Sequence, residues 1–372
     1  MQYRRFGKTD LFLSVFSLGT MRCVTSAEAT RATVEAAIAA GVNHIETASS
    51  YGDSECYVGS ALKSLGIPRQ QVYITTKIPP PTQAATVSQQ IDRSLSRLQL
   101  DYVDCLAIHG INTWQHLAQV EGCLSTLQQA LASGVIRHLG FSTHASLDLI
   151  LTTIATGWFE FVNLHYYYFF QRHEPAVQQA ARMDMGVFII SPADKGGLLH
   201  QPSTTLRQLC APWSPLALTY RFLLSDPRIT TLSVGAATPA ELDEPLALAD
   251  NTLPLTEAEQ DSLKRLQNQQ TQKLLTEECS QCYACLPCPE GIHIPEVLRL
   301  RNLSIAYDMT AYAQYRYSMF ENAGHWFPGN RGDRCTACGD CLPRCPESLN
   351  IPALLQDAHQ RLHGKPGRRL WE

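Results

Sequence analysis

Two groups of residues in this chain have the types and spacing to do chemistry. The first is cysteine. CSQCYACLPCP at 279–289 places Cys279, Cys282, Cys285 and Cys288 at x2 intervals, closed by Pro289. CTACGDCLPRCP at 335–346 repeats the theme with Cys335, Cys338, Cys341 and, after x3, Cys345 before Pro346. Three thiolates at x2 spacing wrap one iron–sulfur cubane, because the intervening residues form a tight loop around its sulfides. The fourth, ahead of proline, reaches the other cluster. The pattern predicts one [4Fe–4S] cluster on Cys279, Cys282, Cys285 and Cys345, and a second on Cys335, Cys338, Cys341 and Cys288. Zinc is the competing reading, but zinc ribbons separate their cysteine pairs by a longer spacer.

The second group is Glu46, Tyr51, Lys77 and His109. A phenol loses its proton near pH ~10 and is a poor acid at neutrality. An ammonium beside it lowers that value, and a carboxylate behind the lysine keeps the lysine charged and oriented. A histidine adds a hydrogen bond to a carbonyl oxygen. Together the four suit hydride transfer coupled to protonation of a carbonyl.

Elements must hold these groups in place. Eight β-rich runs, VFSLGT (15–20), HIETA (44–48), VYITTK (72–77), VDCLAIH (103–109), IRHLGFS (136–142), FVNLHY (161–166), GVFIIS (186–191) and TLSVGA (231–236), alternate with helical patterns such as 27–41 and 120–134. Such alternation predicts an α/β fold, a TIM-type (β/α)8 barrel, with a doubly wound open sheet as the alternative. Glu46, Lys77 and His109 then fall at the ends of the second, third and fourth barrel strands, and Tyr51 just beyond the second. Residues before the first strand read as a β-hairpin able to plug the barrel floor. The predicted domains are a barrel over 1–270 and a mainly helical cluster domain over 271–372. The latter carries a helical insertion at 294–326, of which 294–320 is read as one or two amphipathic helices.

Composition narrows the classes. Of 372 residues, 45% are hydrophobic and 17% charged, with a net charge of −4, so a core is affordable and a nucleic-acid surface is not indicated. No leader-like apolar run or membrane-span pattern is read, and a cytoplasmic protein is expected. In a reducing compartment grouped cysteines read as metal ligands, not disulfides. The other five, Cys23, Cys56, Cys105, Cys123 and Cys210, read as buried small hydrophobes.

HIETASSYGDSE (44–55) is similar to the aldo-keto reductase signature, in which Asp-Thr-Ala precedes the catalytic tyrosine. ITTK (74–77) and LAIHG (106–110) match that family's lysine and histidine segments. GFSTH (140–144) resembles the segment that holds the nicotinamide carboxamide. RFLLSDPRITTLSVGAATPAELDE (221–244) resembles its last strand and phosphate-binding helix. The resemblance implies NADH or NADPH as cofactor and Tyr51 as general acid, tuned by Lys77 and His109, with Glu46 holding Lys77. It also implies cofactor contacts from Gly19, Thr20, Ser142, Thr143, Asn163, Ser191, Gly197, Leu198, Gly235, Thr238 and Glu241. A small carbonyl substrate is expected between Tyr51, His109, Trp114 and the loops after the sixth and seventh strands.

The chain departs from that pattern at three places. Glu46 replaces an aspartate. Ile190 stands where many members place an aromatic ring over the nicotinamide, a role that a ring from YYYFF (166–170) could fill. Gly235, Ala236 and Glu241 stand where NADPH-preferring members have basic residues. A carboxylate repels a 2′-phosphate, so NADH preference, or loose binding of either cofactor, is expected.

The duplicated cysteine runs, with the phrases Ile292–Pro295 and Leu349–Pro352 behind them, resemble two-cluster bacterial ferredoxins. The whole chain resembles the aldo-keto reductase branch that carries such a tail. Hydride transfer moves electrons in pairs, whereas these clusters move them singly. The clusters therefore serve either stability or redox sensing beside a carbonyl reductase, or electron delivery to the barrel. The alternative is that the barrel is only a binding scaffold for an electron-transfer protein. From residue 271 onward eleven Lys/Arg balance eleven Asp/Glu. With Arg331, Arg334 and Arg344 near the second cysteine set, an acidic ferredoxin-type donor is an expected partner.

Overall fold

Short parallel strands buried on both faces need helices around them, and the eight apolar runs meet that need by closing on one another. The computed structural model describes residues 1–364; the basic stretch KPGRRLWE at 365–372 lies outside the described residues. A hairpin of β1 (Tyr3–Arg5) and β2 (Phe12–Ser14) precedes the barrel strands β3 (Phe16–Gly19), β4 (His44–Glu46), β5 (Tyr73–Ile78), β6 (Val103–His109), β7 (Ile136–Ser142), β8 (Phe161–Leu164), β9 (Gly186–Ile189) and β10 (Thr231–Val234). The eight are parallel and neighbours in chain order, with β10 pairing both β9 and β3. The open-sheet alternative is excluded, and the (β/α)8 expectation holds.

The barrel is a filled core. At its N-terminal end Phe6, from the hairpin turn, packs with Leu13, Cys105, Ala107, Phe161 and Phe188. The floor is therefore plugged as expected. Gly186 makes this possible, since a Cβ there would meet the Phe6 ring at 2.2 Å. Inside the barrel lies a polar layer. His44 Nδ1 is 2.6 Å from Ser17 Oγ, His44 Nε2 is 2.7 Å from Thr75 Oγ1, and Ser17 Oγ also meets Thr231 Oγ1 at 2.7 Å. Burial, followed by the charge of Lys77, pushes the His44 imidazole down to about 3, so it is held neutral.

The segment read as one helix over 120–134 is two. One runs Trp114–Glu121 and the next Leu124–Ser133, with Gly134 ending the second in a left-handed conformation at φ 77°. At the break Cys123 is buried, and its thiol points to Pro81 O. Cys23, Cys105 and Cys210 are likewise buried, whereas Cys56 is partly exposed.

The chain divides into two compact units. One comprises Met1–Gly196 and Thr219–Pro254; the other comprises Gly197–Leu218 and the residues from Leu255 onward. Helix Glu257–Leu274, which groups with the second, starts from a Thr-x-x-Glu capping box. Thr256 Oγ1 accepts from Glu259 N, and Glu259 Oε2 accepts from Thr256 N at 2.7 Å. Arg265 of that helix donates to Leu209 O, and Ser203 Oγ donates to Tyr307 O at 2.6 Å, which joins Gly197–Leu218 to this unit.

The insertion forms two helices, Ile294–Tyr307 and Thr310–Tyr317, followed by a short turn at Gly324–Trp326. The first is not amphipathic: twelve of its fourteen residues are buried. Its charged residues tolerate burial because they are paired. Arg299 meets Glu296 at 2.6 Å, and Arg301 reaches both Asp357 and Glu277. Among the described residues no helix is long and apolar enough to cross a membrane.

Candidate active site and cluster loops

A barrel presents its chemistry at the C-terminal ends of its strands. Glu46 ends β4, Lys77 is the penultimate residue of β5, His109 ends β6, and Tyr51 follows β4 on a short loop. The four converge. The Lys77 ammonium is buried in an ion pair with Glu46. It also donates to Thr47 O at 2.9 Å and to the Tyr51 hydroxyl at 3.2 Å. The Tyr51 and His109 rings meet edge to face at 5.5 Å. The longer side chain of Glu46 thus still reaches the lysine.

The electrostatics correct one expectation. Burial raises the Tyr51 phenol above its ordinary value and outweighs the lowering effect of Lys77. The proton is therefore held firmly on Tyr51 in the free protein. Burial, then Lys77 and Lys195, hold the His109 imidazole well below its usual range, so it is neutral at pH 7. For Lys77 burial opposes the charge, but Glu46 and Tyr51 prevail and its pKa is raised.

Several supporting residues escape a reading of the sequence. Ser50 Oγ lies 3.1 Å from His109 Nδ1. Arg97 donates to Gly52 O and meets the buried Glu55 carboxylate at 3.1 Å, while Thr76 Oγ1 donates to Glu55 at 2.6 Å. This anchors the loop that carries Tyr51. A main-chain acceptor such as Thr47 O, or a partner more than forty positions away such as Arg97 for Gly52, leaves no local pattern to read.

The residues expected to touch a dinucleotide differ in what they do. Gly19 is pressed against Ser233, where a Cβ would lie 2.3 Å from Oγ. Thr20 donates to Glu46 O and accepts from Ser54 Oγ, which in turn meets Thr47 Oγ1. It braces the backbone around Lys77. Thr143 donates to Ile111 O and accepts from Ala145 N, so its hydroxyl shapes a loop; Ser142 Oγ accepts from Gly110 N. Asn163 is fully buried, and neither its amide nitrogen nor its oxygen has a partner among the described residues. A carboxamide satisfies both at once, so the site fits a nicotinamide. Ser191 follows β9 in a left-handed conformation. Gly235 borders open space at the end of β10, and Thr238 and Glu241 follow it, exposed. Gly197 and Leu198 belong to the other unit.

Glu241 is not the bare carboxylate that a reading for charge alone suggests. Arg22, in the loop after β3, binds it with both Nη atoms at 2.5 and 3.0 Å and also donates to Gly235 O at 3.0 Å. Trp114, expected beside the substrate, is 54% exposed at the start of its helix.

In the second unit the eight cysteines gather as two quartets. Cys279, Cys282, Cys285 and Cys345 line one cavity with Tyr283 and Leu298. Cys288, Cys335, Cys338 and Cys341 line another with Glu290 and Ile294. Each quartet takes three thiols from one run and one from the other. Gln281, Tyr283, Ala337 and Gly339, between the cysteines, adopt left-handed backbone, which winds each loop tightly enough for its thiols to face inward. Burial, then the neighbouring thiols, pushes the Cys285 thiol up to about 12. Four soft sulfur donors lining each cavity fit an iron–sulfur cluster. Arg331 and Arg334, expected to greet an acidic partner, are both bound to Glu321 at 2.8 and 2.9 Å, and Arg344 donates to Asp340 O and Pro287 O. Glu321 offsets one of the two guanidinium charges, whereas Arg344 meets main-chain carbonyls and keeps its own.

Comparison with known proteins agrees with this arrangement. The profile of the Aldo/keto reductase family matches residues 16–268, and that of the 4Fe-4S dicluster domain matches 278–349. An aldo-keto reductase of Mycolicibacterium smegmatis is 34% identical over 208 residues, 53% of this chain and 68% of its own length. One of Mycobacterium avium is 32% identical over 52% of this chain and 66% of its own. Among solved structures, an aldo-keto reductase of Bacillus halodurans in its holo form superposes with a TM-score of 0.64 at 22% identity, covering 71% of this chain and 96% of that one. One of Klebsiella pneumoniae in complex with NADPH gives 0.60 at 22% identity, covering 71% and 94%. The chain belongs to the aldo/keto reductase family and carries, C-terminal to the barrel in sequence, a 4Fe–4S dicluster domain.

Proposed function

We propose that the barrel interconverts a small carbonyl compound and its alcohol with NADH or NADPH, and that the second unit holds two [4Fe–4S] clusters that carry single electrons. One observation carries the first half: a tyrosine hydroxyl at the barrel mouth, 3.2 Å from a buried, carboxylate-paired ammonium. NAD(P)H, when bound, supplies the hydride. Asn163 would hold its carboxamide, with Ser142 beside it. Tyr51 donates its proton to the substrate oxygen, and Lys77 stabilises the phenolate that remains. Glu46 keeps Lys77 charged. His109, held neutral, hydrogen-bonds the same oxygen and orients it. Trp114 supplies an apolar wall at the mouth.

Cys279, Cys282, Cys285 and Cys345 would hold one cluster, and Cys335, Cys338, Cys341 and Cys288 the other. The exchanged fourth cysteine supports two clusters over zinc. In an anaerobic carbonyl-reduction assay, Tyr51→Phe is expected to lose about a thousandfold in kcat with cofactor binding retained. Unchanged turnover would remove the barrel from the chemistry and leave it as a scaffold. In the same preparations, Cys345→Ser is expected to lose at least half the iron of the wild type. Full iron retention would place that cysteine outside the ligand set.

A further inference from the structure

Arg22 and Glu241 meet at the end of β10, beside Gly235, whose missing side chain leaves open space. The Glu241 carboxylate there is more than half of an ion pair. Oε2 accepts from Ala237 N at 3.1 Å as well as from Arg22 Nη1, and Oε1 accepts from Arg22 Nη2. A backbone N–H and a bidentate guanidinium thus converge on one internal anion. Their side chains are 52% and 39% exposed, so the pair is solvated and its net strength is small. A doubly charged phosphate competes well for the same donors, because guanidinium binds phosphate in the same forked geometry.

We infer that Arg22 and Glu241 form an exchangeable pair that sets the dinucleotide preference: the 2′-phosphate of NADPH takes Arg22 from Glu241, whereas NADH leaves the pair closed. This rests on the cofactor reading above and extends it. Arg22 supplies the cation that the β10 end itself lacks. Glu241 opposes the phosphate in two ways, by repelling it and by occupying its donor. An acidic group near a ribose hydroxyl favours the unphosphorylated cofactor and an arginine favours the phosphorylated one, and here the two are tied together. The chain is therefore expected to accept both cofactors with a modest ratio, each residue pulling it in an opposite direction.

Binding of NADPH, NADH and adenosine 2′,5′-bisphosphate to the full-length protein, measured by calorimetry, tests this without turnover. Glu241→Gln is expected to tighten NADPH and the bisphosphate by about tenfold and to move NADH by less than about twofold. Arg22→Gln is expected to weaken NADPH and the bisphosphate by about tenfold, again sparing NADH. Equal losses for both dinucleotides in Arg22→Gln would make Arg22 a general clamp and overturn the inference. So would an unmoved NADPH-to-NADH ratio in Glu241→Gln. If the wild type binds neither dinucleotide, the cofactor reading itself falls, an outcome distinct from binding with an unmoved ratio.

Discussion

Tyr51 keeps its proton because burial dominates, and His109 stays neutral for the same reason. Neither group changes charge between pH ~6 and ~8. The kcat/KM for carbonyl reduction should therefore be flat across that window, and a pH profile with a step near 6.5 would assign His109 a charged role. For stability the sign follows from protons bound. Folded His109 binds its proton later than the unfolded chain does, so its contribution is full above about pH 6.5 and falls away below it. Lys77 and Glu46 form a pair that neither partner can leave alone. Lys77→Met strands a buried carboxylate and should cost about 3 kcal/mol in denaturant unfolding. Glu46→Leu added to it should recover much of that stability without recovering turnover, which separates the catalytic from the structural part of the pair.

At the scale of elements, helix Ile294–Tyr307 depends on charge in a core position. Burial works against Glu296, but Arg299 overrides it and holds the carboxyl down to about 2. Its contribution is present above the ordinary carboxylate value of ~4.5 and is lost as pH falls toward 2. Glu296→Gln should lower the Tm at pH 7 and flatten the acid limb of a stability–pH curve. A parallel acid limb in wild type and variant would assign the limb to other carboxylates. This helix also marks where a sequence becomes hard to read. The eight strands are legible because apolar runs of strand length have few other uses between helices. Helix 294–307 departs from the period because Glu296, Arg299 and Arg301 are buried through partners as distant as Asp357. The same holds at the sites. The tetrad and the cysteine quartets lie in motifs with local spacing. Arg22 and Glu241 lie 219 positions apart and become a pair only once β10 closes against β3.

At the scale of the whole molecule, the two units do not follow a single cut of the chain. Gly197–Leu218 packs with the residues beyond Leu255, through Ser203 on Tyr307 and Arg265 on Leu209. A fragment ending at residue 270 keeps that segment but removes the Tyr307 carbonyl. Limited proteolysis with mass mapping should find new cleavage within 197–218 in the fragment and protection in the full chain. Equal protection would show the segment to be held by other contacts. The crossed cysteines have a consequence of a different kind. Cys345 completes a quartet begun at Cys279, and Cys288 completes one begun at Cys335, so each proposed metal centre is also a clasp that closes a long loop of chain. Closing such a loop is entropically costly, and the metal–sulfur bonds bear that cost for both clasps together. Opening either one frees the chain that the other needs. Iron should therefore leave a chelator-treated sample in one concerted step, and in a cell short of iron the lifetime of this protein would follow the supply of metal.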